Sequence, residues 1–214
     1  GMPYEPGAFV EPGSVAVHAL RHMRFVPGRD VAILGLGTIG MLMLQCLKLC
    51  GAKSVTAVDI SDYRLALAAD FGADHVITAA REDLTGRAMA ITKGRGFEVV
   101  LECSGAAAAM QQSFGLAAGK ADVCFIGTPH EELRFAPGLF EQMLRKEFRL
   151  TGSWMSYGAP FPGRDWKLAL QWIQSGQIRV RELIDRKVPL DQAGEIFTLY
   201  KKPGTIKGKV LFDF

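Results

Sequence analysis

The stretch that decides the fold runs from Val31 to Asp59 and reads VAILGLGTIGMLMLQCLKLCGAKSVTAVD. Its first four residues form a short apolar run that predicts a buried strand. A glycine-rich turn follows, and apolar residues then recur at the spacing of one helix face. A second β-branched run closes the stretch. The pattern predicts a unit of strand, turn, helix and strand with an acid at its end.

Three glycines in the turn have the spacing G-x-G-x-x-G, and each has a mechanical reason to be there. Gly35 permits the tight turn, Gly37 leaves room for a pyrophosphate against the backbone, and Gly40 lets the helix pack closely on the strand. Thr38 and Ile39 begin the helix, whose free N–H groups and partial positive charge attract an anion. The turn therefore predicts a dinucleotide-binding site.

The acid at the end of the second strand predicts which dinucleotide is bound. Asp59 lies 19 residues after Gly40, where a carboxylate accepts hydrogen bonds from both ribose hydroxyls and repels a 2′-phosphate. NAD is therefore expected rather than NADP. Two alternatives remain open, namely an α/β unit that binds a flavin or S-adenosylmethionine, and a chance match of the glycines. A membrane span is not expected, because the apolar stretch is shorter than ~20 residues and contains glycines.

Composition excludes several classes of protein. Of the 214 residues, 49% are hydrophobic and 22% charged, which is typical of a globular protein, and the net charge is only +3. The scattered basic residues indicate neither nucleic acid nor membrane as a partner. The four cysteines lie within apolar patterns and are expected to be free thiols of a cytoplasmic protein. Two pairs, Cys46 with Cys50 and His18 with His22, share a helix face, but two ligands rarely hold zinc.

Further strands alternate with helices along the chain. The ranges predicted as strands are His75–Ile77, Phe97–Glu102, Ala121–Ile126 and Phe148–Gly152. Together with the first two strands they predict a doubly wound, six-stranded parallel sheet of the Rossmann type, in the order 3-2-1-4-5-6.

Such sheets bind ligands at the carboxyl ends of their strands. Eight residues just beyond the fourth, fifth and sixth strands are therefore candidates for the nicotinamide end of the site: Ser104, Gly105, Ile126, Gly127, Thr128, Gly152, Ser153 and Trp154. The alternative is ordinary turn chemistry, since turns after strands often contain glycine or serine.

The less regular parts of the chain lead to three further expectations. The segment from Pro3 to Pro12 is rich in proline and glycine and is expected to be irregular. Ser14 is expected to cap a helix that ends before Pro27. A short strand is expected at Glu132–Phe135.

The C-terminal part contains more elements than a six-stranded sheet needs. An amphipathic helix at 165–175 is expected to close the sheet, and a strand at 183–190, a helix at 191–200 and a strand at 209–214 follow. We therefore divide the chain into an N-terminal arm, 1–13, a NAD-binding domain, 14–181, and a C-terminal segment, 182–214, that belongs to another domain.

This order of elements resembles the zinc-dependent medium-chain alcohol and polyol dehydrogenases, the sorbitol dehydrogenase group. The residues that carry the resemblance span nearly the whole chain: Glu11-Pro12-Gly13-Ser14, the glycine turn, Val58-Asp59-Ile60-Ser61, Glu102-Cys103-Ser104-Gly105 and Lys207-Gly208-Lys209-Val210-Leu211. The segments Leu144–Phe148, Gly152–Tyr157 and Pro160–Gly163 are most similar to polyol-phosphate members of the group.

The resemblance implies roles for several residues. Glu11 approaches the catalytic zinc or its bound water, and Lys209 contacts the pyrophosphate, for which surface solvation is the alternative. Arg64 is also assigned to the cofactor site. The family's other zinc ligands, a Cys and a His-Glu pair, have no recognisable counterpart in this sequence. No residue of this chain is therefore assigned a catalytic role.

The resemblance implies that the chain is the NAD-binding part of a zinc-dependent polyol or polyol-phosphate dehydrogenase, inactive alone. The substrate of the intact enzyme would be a small polyol, and a homodimer or homotetramer is expected. Two alternatives remain: a non-catalytic NAD-binding or assembly module, and a Rossmann enzyme that uses another cofactor.

Overall fold

A computed structural model describes residues 2–156, 158–202 and 204–213. Six strands form one parallel sheet in the order β3-β2-β1-β4-β5-β6, which confirms the fold expected from the sequence. The strands of this sheet are β1 Asp30–Leu34, β2 Ser54–Asp59, β3 His75–Thr78, β4 Phe97–Glu102, β5 Ala117–Phe125 and β6 Arg149–Gly152. Two residues that entered the expectations above, Tyr157 and Phe214, lie outside the described residues.

The central strands are buried on both faces, because alternate residues point into two different cores. Val31 and Ile33 of β1 belong to one apolar cluster, whereas Ala32 and Leu34 belong to the other. The helices that cover the two faces have the following bounds: α1 Tyr4–Gly7, α2 Val10–His22, α3 Thr38–Leu49, α4 Asp62–Asp70, α5 Leu84–Thr92, α6 Ala107–Leu116, α7 Pro137–Lys146 and α8 Gly163–Gln174. The continuous apolar runs of the strands are thus explained by a sheet covered on both sides.

The N-terminal segment is helical, so the expectation of irregular structure there was wrong. Helix α2 begins at Val10 and includes Pro12 in its first turn, where the missing N–H would have no helical partner anyway. Gly13 faces α8, where a Cβ at this position would be in van der Waals contact with the Cβ of Ala169 at 3.4 Å. Tertiary packing therefore extends the helix upstream through the proline.

Two smaller expectations were also wrong. Ser14 does not cap α2 but lies inside it, fully buried, because the helix begins four residues earlier. Residues Glu132–Phe135 form no strand, and the Phe135 ring instead packs 4.7 Å from the ring of Phe114. A single aromatic anchor in the core explains the apolar signal in that segment.

Beyond α8, the chain forms a second, two-stranded parallel sheet. Its strands are β7 Ile184–Pro189 and β8 Lys209–Asp213, and helix α9 Ala193–Tyr200 lies between them in the sequence. The strand, helix and strand expected after the Rossmann sheet are therefore present, outside that sheet. Among the helices that the structure describes, none is long and apolar enough to cross a membrane.

Candidate functional site

The turn after β1 has a backbone path that only glycine allows at two of its positions. Gly35 has a φ of +91°, and a Cβ there would lie 2.6 Å from the Cβ of Ser104. A Cβ on Gly40 would overlap the carbonyl oxygen of Gly35. These two glycines therefore hold β1, α3 and the end of β4 together, as the sequence motif predicts.

Gly37, between them, differs because nothing surrounds it. A Cβ built there would meet no atom within 4 Å, although Gly37 lies directly before α3. Thr38 and Ile39 form the first turn of α3, where the N–H groups of a helix have no intrahelical acceptor. The open backbone at a helix N-terminus is a cradle of the kind that binds phosphate.

Asp59, at the end of β2, is nearly fully buried beside the turn. Its Oδ2 accepts the N–H of Leu36 at 2.7 Å, and its Oδ1 accepts the N–H of Ser61 at 2.9 Å. The Nη1 atom of Arg64 lies 3.8 Å from the carboxylate. Each carboxylate oxygen can accept a second hydrogen bond. The acid is thus oriented by the glycine turn and keeps acceptor capacity for a ribose.

A buried glutamate, not singled out from the sequence, organises the end of β4. The Glu102 carboxylate accepts the N–H groups of Ser104 at 2.8 Å and Gly105 at 3.1 Å, and also the Ser104 hydroxyl. The residue is fully buried. The signal that could have revealed this role was an acid directly after the apolar run Val99-Val100-Leu101 and two residues before Ser104-Gly105.

The ends of β4 and β5 interlock through glycine. Gly105 has a φ of +74°, and a Cβ there would overlap the carbonyl oxygen of Thr128. Gly127 donates its N–H to the main-chain carbonyl of Glu102 at 3.0 Å, and Ile126 donates to the same oxygen at 2.8 Å. The predicted candidates on these two strands are therefore in direct contact with each other.

The end of β6 carries the remaining candidates, Gly152, Ser153 and Trp154. The N–H of Ser153 bonds to the carbonyl of Phe125 at 2.9 Å, which joins this end to β5. The hydroxyl of Ser153 is buried and has no hydrogen-bond partner among the described residues, while Trp154 is 69% exposed. A buried, unpaired hydroxyl is costly unless water or a ligand completes it.

A cavity of about 410 Å³ opens at the N-terminus of α3, with Gly37 and Thr38 on one side. Four cationic side chains line it: Arg64, Lys202, Lys207 and Lys209. The Nζ of Lys207 lies 4.8 Å from the ring of Tyr63, a contact that holds the chain and leaves its charge intact. Two of these cations, Lys202 and Lys207, were not predicted as site residues from sequence, whereas Lys209 of the same segment was assigned through the family resemblance.

A second cavity, of about 620 Å³, lies between α2 and α8. Apolar side chains such as Leu20, Phe25 and Trp172 line it. It is larger than the cavity at α3, yet it lies away from the carboxyl ends of the strands. Three cations, Arg21, Arg164 and Lys167, line this cavity as well, so charge does not distinguish the two. The cavity at α3 differs in containing Gly37 and Thr38 of the glycine turn, where the sequence predicts a cofactor.

Comparison with known proteins identifies the family. The sequence family described as "Zinc-binding dehydrogenase" matches residues 38–175. The chain belongs to the zinc-binding dehydrogenase family.

Several relatives are similar over most of the chain. Galactitol 1-phosphate 5-dehydrogenase of Escherichia coli is 36% identical over 183 residues, which cover 86% of this chain and 53% of that protein. Human sorbitol dehydrogenase is 30% identical over 201 residues, 93% of this chain and 54% of that protein. The chain spans about half the length of these curated relatives.

Solved structures agree with this assignment. The crystal structure of galactitol-1-phosphate dehydrogenase from Escherichia coli matches with a TM-score of 0.91 and 32% identity, over 99% of this chain and 61% of that one. A putative zinc-binding dehydrogenase from Sinorhizobium meliloti, bound to NADP, matches with a TM-score of 0.82 and 29% identity, over 96% of this chain and 59% of that one. The resemblance stated from sequence motifs is thereby confirmed.

The family name raises the question of whether this chain can hold zinc. Glu11 lies in the first turn of α2 with its side chain exposed. No group of three His, Cys, Asp or Glu side chains suited to a metal occurs among residues 2–156, 158–202 and 204–213. Catalytic zinc needs three protein ligands. The residues described here therefore do not fit a zinc ion by themselves.

The two residue pairs that share a helix face have other environments. His18 and His22 stack with ring centroids 5.8 Å apart, and the Nδ1 of His18 lies 3.0 Å from Oδ2 of Asp165. Burial raises the pKa of the Cys46 thiol, which favours its protonated form. Burial likewise raises the pKa of Cys50. Among the described residues, neither pair belongs to a group of three His, Cys, Asp or Glu side chains that could hold a metal ion.

Proposed function

We propose that the chain is the coenzyme-binding half of a dehydrogenase that oxidises a polyol or polyol phosphate to a ketone. The observation that carries the proposal is the open cradle at Gly37, which faces four cationic side chains beside the acid Asp59. A pyrophosphate needs N–H donors and positive charge, and an adenosine ribose needs a carboxylate acceptor. Asp59 lies next to this cavity, since Arg64 of its lining is 3.8 Å from the Asp59 carboxylate.

The proposed cofactor is NAD, which when bound accepts the hydride from the alcohol carbon. Asp59 supports NAD over NADP, because a buried carboxylate would repel a 2′-phosphate. The Sinorhizobium meliloti relative is bound to NADP. The preference of this chain is therefore a point for direct measurement.

The nicotinamide end is proposed to lie at the carboxyl ends of β4, β5 and β6. The turns at Ser104-Gly105, 126–128 and 152–154 support this, since they meet through the contacts of Gly105 with Thr128 and of Ser153 with Phe125. The unpaired Ser153 hydroxyl supports a ligand there as well. This chain then binds and orients the cofactor and shields it from water.

The substrate and the metal are proposed to come from the rest of an intact enzyme. The substrate class is taken from the galactitol-phosphate and sorbitol relatives. Glu11 is proposed to contribute to a zinc site whose other ligands lie outside these residues. We expect the chain alone to bind NAD without turning over polyol.

We propose the domain division already given, with residues 14–181 as the NAD-binding domain and 182–214 as part of the catalytic domain. The separate β7–β8 sheet supports this division. The four cysteines are free thiols, which supports a reducing cytoplasmic location.

We also propose a homodimer or homotetramer. Strand β6 is at the edge of the six-stranded sheet, with Leu150 38% exposed. Helix α7 has no buried residue and exposes Phe140 and Leu144. An unpaired edge next to exposed apolar side chains favours pairing with a second copy.

The proposal is tested by titrating the chain with NADH and NADPH and then assaying NADH production. Substrates are sorbitol, galactitol and galactitol 1-phosphate, and the metal content of the purified chain is measured alongside. We expect NADH binding without turnover. Absence of NADH binding by the folded chain would refute the proposal. Zinc-dependent turnover that is lost in Glu11→Gln would show that further ligands lie within these residues.

A further inference from the structure

The loop that follows β6 is tied to α2 and α8 by a chain of hydrogen bonds. The Nε1 of Trp166, on α8, lies 2.9 Å from the hydroxyl of Ser156. That hydroxyl lies 2.7 Å from the hydroxyl of Ser14, on α2. The Ser14 hydroxyl is in turn 2.6 Å from the main-chain carbonyl of Glu11. We call Trp166, Ser156 and Ser14 the relay.

The chemistry of the four groups fixes the direction of donation. The indole N–H can only donate and the carbonyl can only accept, while each hydroxyl has one proton. Trp166 therefore donates to Ser156, Ser156 donates to Ser14, and Ser14 donates to the carbonyl of Glu11. Each hydroxyl then donates one hydrogen bond and accepts one, and both Ser14 and Ser156 are buried.

The two helices that carry the ends of the relay are also locked to each other. Asp165, next to Trp166, is buried. Its carboxylate accepts hydrogen bonds from Arg21 Nε at 2.7 Å and from Arg21 Nη2 at 2.8 Å. His18 of α2 contacts the same carboxylate. The relay thus fastens the loop to a fixed pair of helices.

The position of the relay links it to the cofactor site. Ser156 is three residues after Ser153, which joins the end of β6 to β5. Between them Met155 has a φ of +54°, a left-handed backbone that only surrounding contacts maintain in a residue other than glycine. The relay supplies such contacts directly after this bend.

We propose that Ser14, Ser156 and Trp166 are positioning residues that hold the β6 end of the site in the shape that receives the nicotinamide. This inference rests on the proposed function, in which the nicotinamide lies at the ends of β4 to β6. None of the three relay residues lines the cavity at Gly37. Loss of the relay is therefore expected to weaken contacts with the nicotinamide half of the cofactor.

The experiment compares NADH with ADP-ribose, which has the adenosine and pyrophosphate but no nicotinamide. The variants are Ser14→Ala, which removes one hydroxyl inside a helix, and Trp166→Phe, which keeps an aromatic ring but removes the N–H. Dissociation constants for both ligands are measured by calorimetry on the whole chain. Ser113→Ala is the matched control, because Ser113 is also buried in a helix and donates to a carbonyl three residues earlier, that of Met110, at 2.6 Å.

We expect each relay variant to weaken NADH binding about fivefold, the size of one hydrogen bond, with ADP-ribose binding unchanged. Because both variants break the same chain, the double variant should lose little more than either single one. The control should change neither ligand. Equal weakening of both ligands, or an unchanged ratio in Trp166→Phe, would overturn the proposal of positioning. If the folded wild-type chain bound neither ligand, the proposed function itself would fail, and the inference with it.

Discussion

Replacing Gly37 by valine separates cofactor binding from folding. Gly37 has φ −67° and ψ −171°, an extended backbone that any residue adopts. No atom lies within 4 Å of a Cβ placed there. The added side chain therefore occupies only the space that we assign to the pyrophosphate.

The expected change in stability is small because two effects nearly cancel. Valine at a helix N-cap is less favourable than glycine by roughly 0.5–1 kcal/mol. Removing a glycine from the unfolded chain stabilises the fold by about 0.4–1 kcal/mol. The free energy of unfolding should therefore change by less than about 1 kcal/mol, which thermal or urea unfolding can measure.

The expected change in binding is large. A hydrogen bond between a backbone N–H and a charged phosphate contributes about 1.5–3 kcal/mol. If the introduced valine side chain displaces the pyrophosphate from two such donors, the loss is about 3–6 kcal/mol, or at least about 100-fold in the NADH dissociation constant. A fluorescence titration with NADH measures this loss.

Gly40→Ala is the matched comparison within the same motif. Its Cβ would overlap the carbonyl oxygen of Gly35, so this smaller change should lower the melting temperature markedly, whereas Gly37→Val should not. Unchanged NADH affinity in a folded Gly37→Val chain would refute the placement of the pyrophosphate at this turn.

Three further predictions concern charge and association. Asp59→Ala should reduce the ratio of NADH to NADPH affinity, and a wild-type chain that binds both equally tightly would contradict the role of Asp59. Burial alone would raise the pKa of Asp165, but hydrogen bonds from Arg21 and His18 lower it. Its charge therefore stabilises the fold above the ordinary pKa of an aspartate, and this contribution is lost as the pH falls below about 4. Asp165→Asn should lower the unfolding free energy by about 1–2 kcal/mol at pH 7 and reduce its fall in acid, as urea unfolding at several pH values would show. Leu144→Glu should shift sedimentation toward the monomer, and a wild-type monomer at all concentrations would contradict the proposed dimer.

The periodicity of the sequence was sufficient for the Rossmann sheet. Apolar runs alternate with helix-spaced segments, and the handedness of parallel connections leaves few strand orders. The glycine turn, the helix after it and Asp59 could also be predicted from the sequence, because all of them lie within one unit of strand, helix and strand. The structure brings Gly37, Thr38, Arg64 and Lys209 to one cavity.

The N-terminal arm shows where local signals fail. Proline and glycine usually interrupt helices, yet Pro12 lies in the first turn of α2 and Gly13 packs against α8. A partner helix distant in sequence decides this outcome, so propensity alone predicts it wrongly.

The sequence by itself determined the sheet, the glycine turn and the family, because these depend on patterns within short segments. Only the tertiary structure decided the surroundings of that turn. Lys202 and Lys207 reach the cavity from a segment far along the chain, and Glu102 gathers the N–H groups at the end of β4. The relay from Trp166 to Ser14 joins residues more than 140 positions apart. Such contacts leave no pattern in the sequence, because their strength depends on the distance between residues in space. The fold sets that distance.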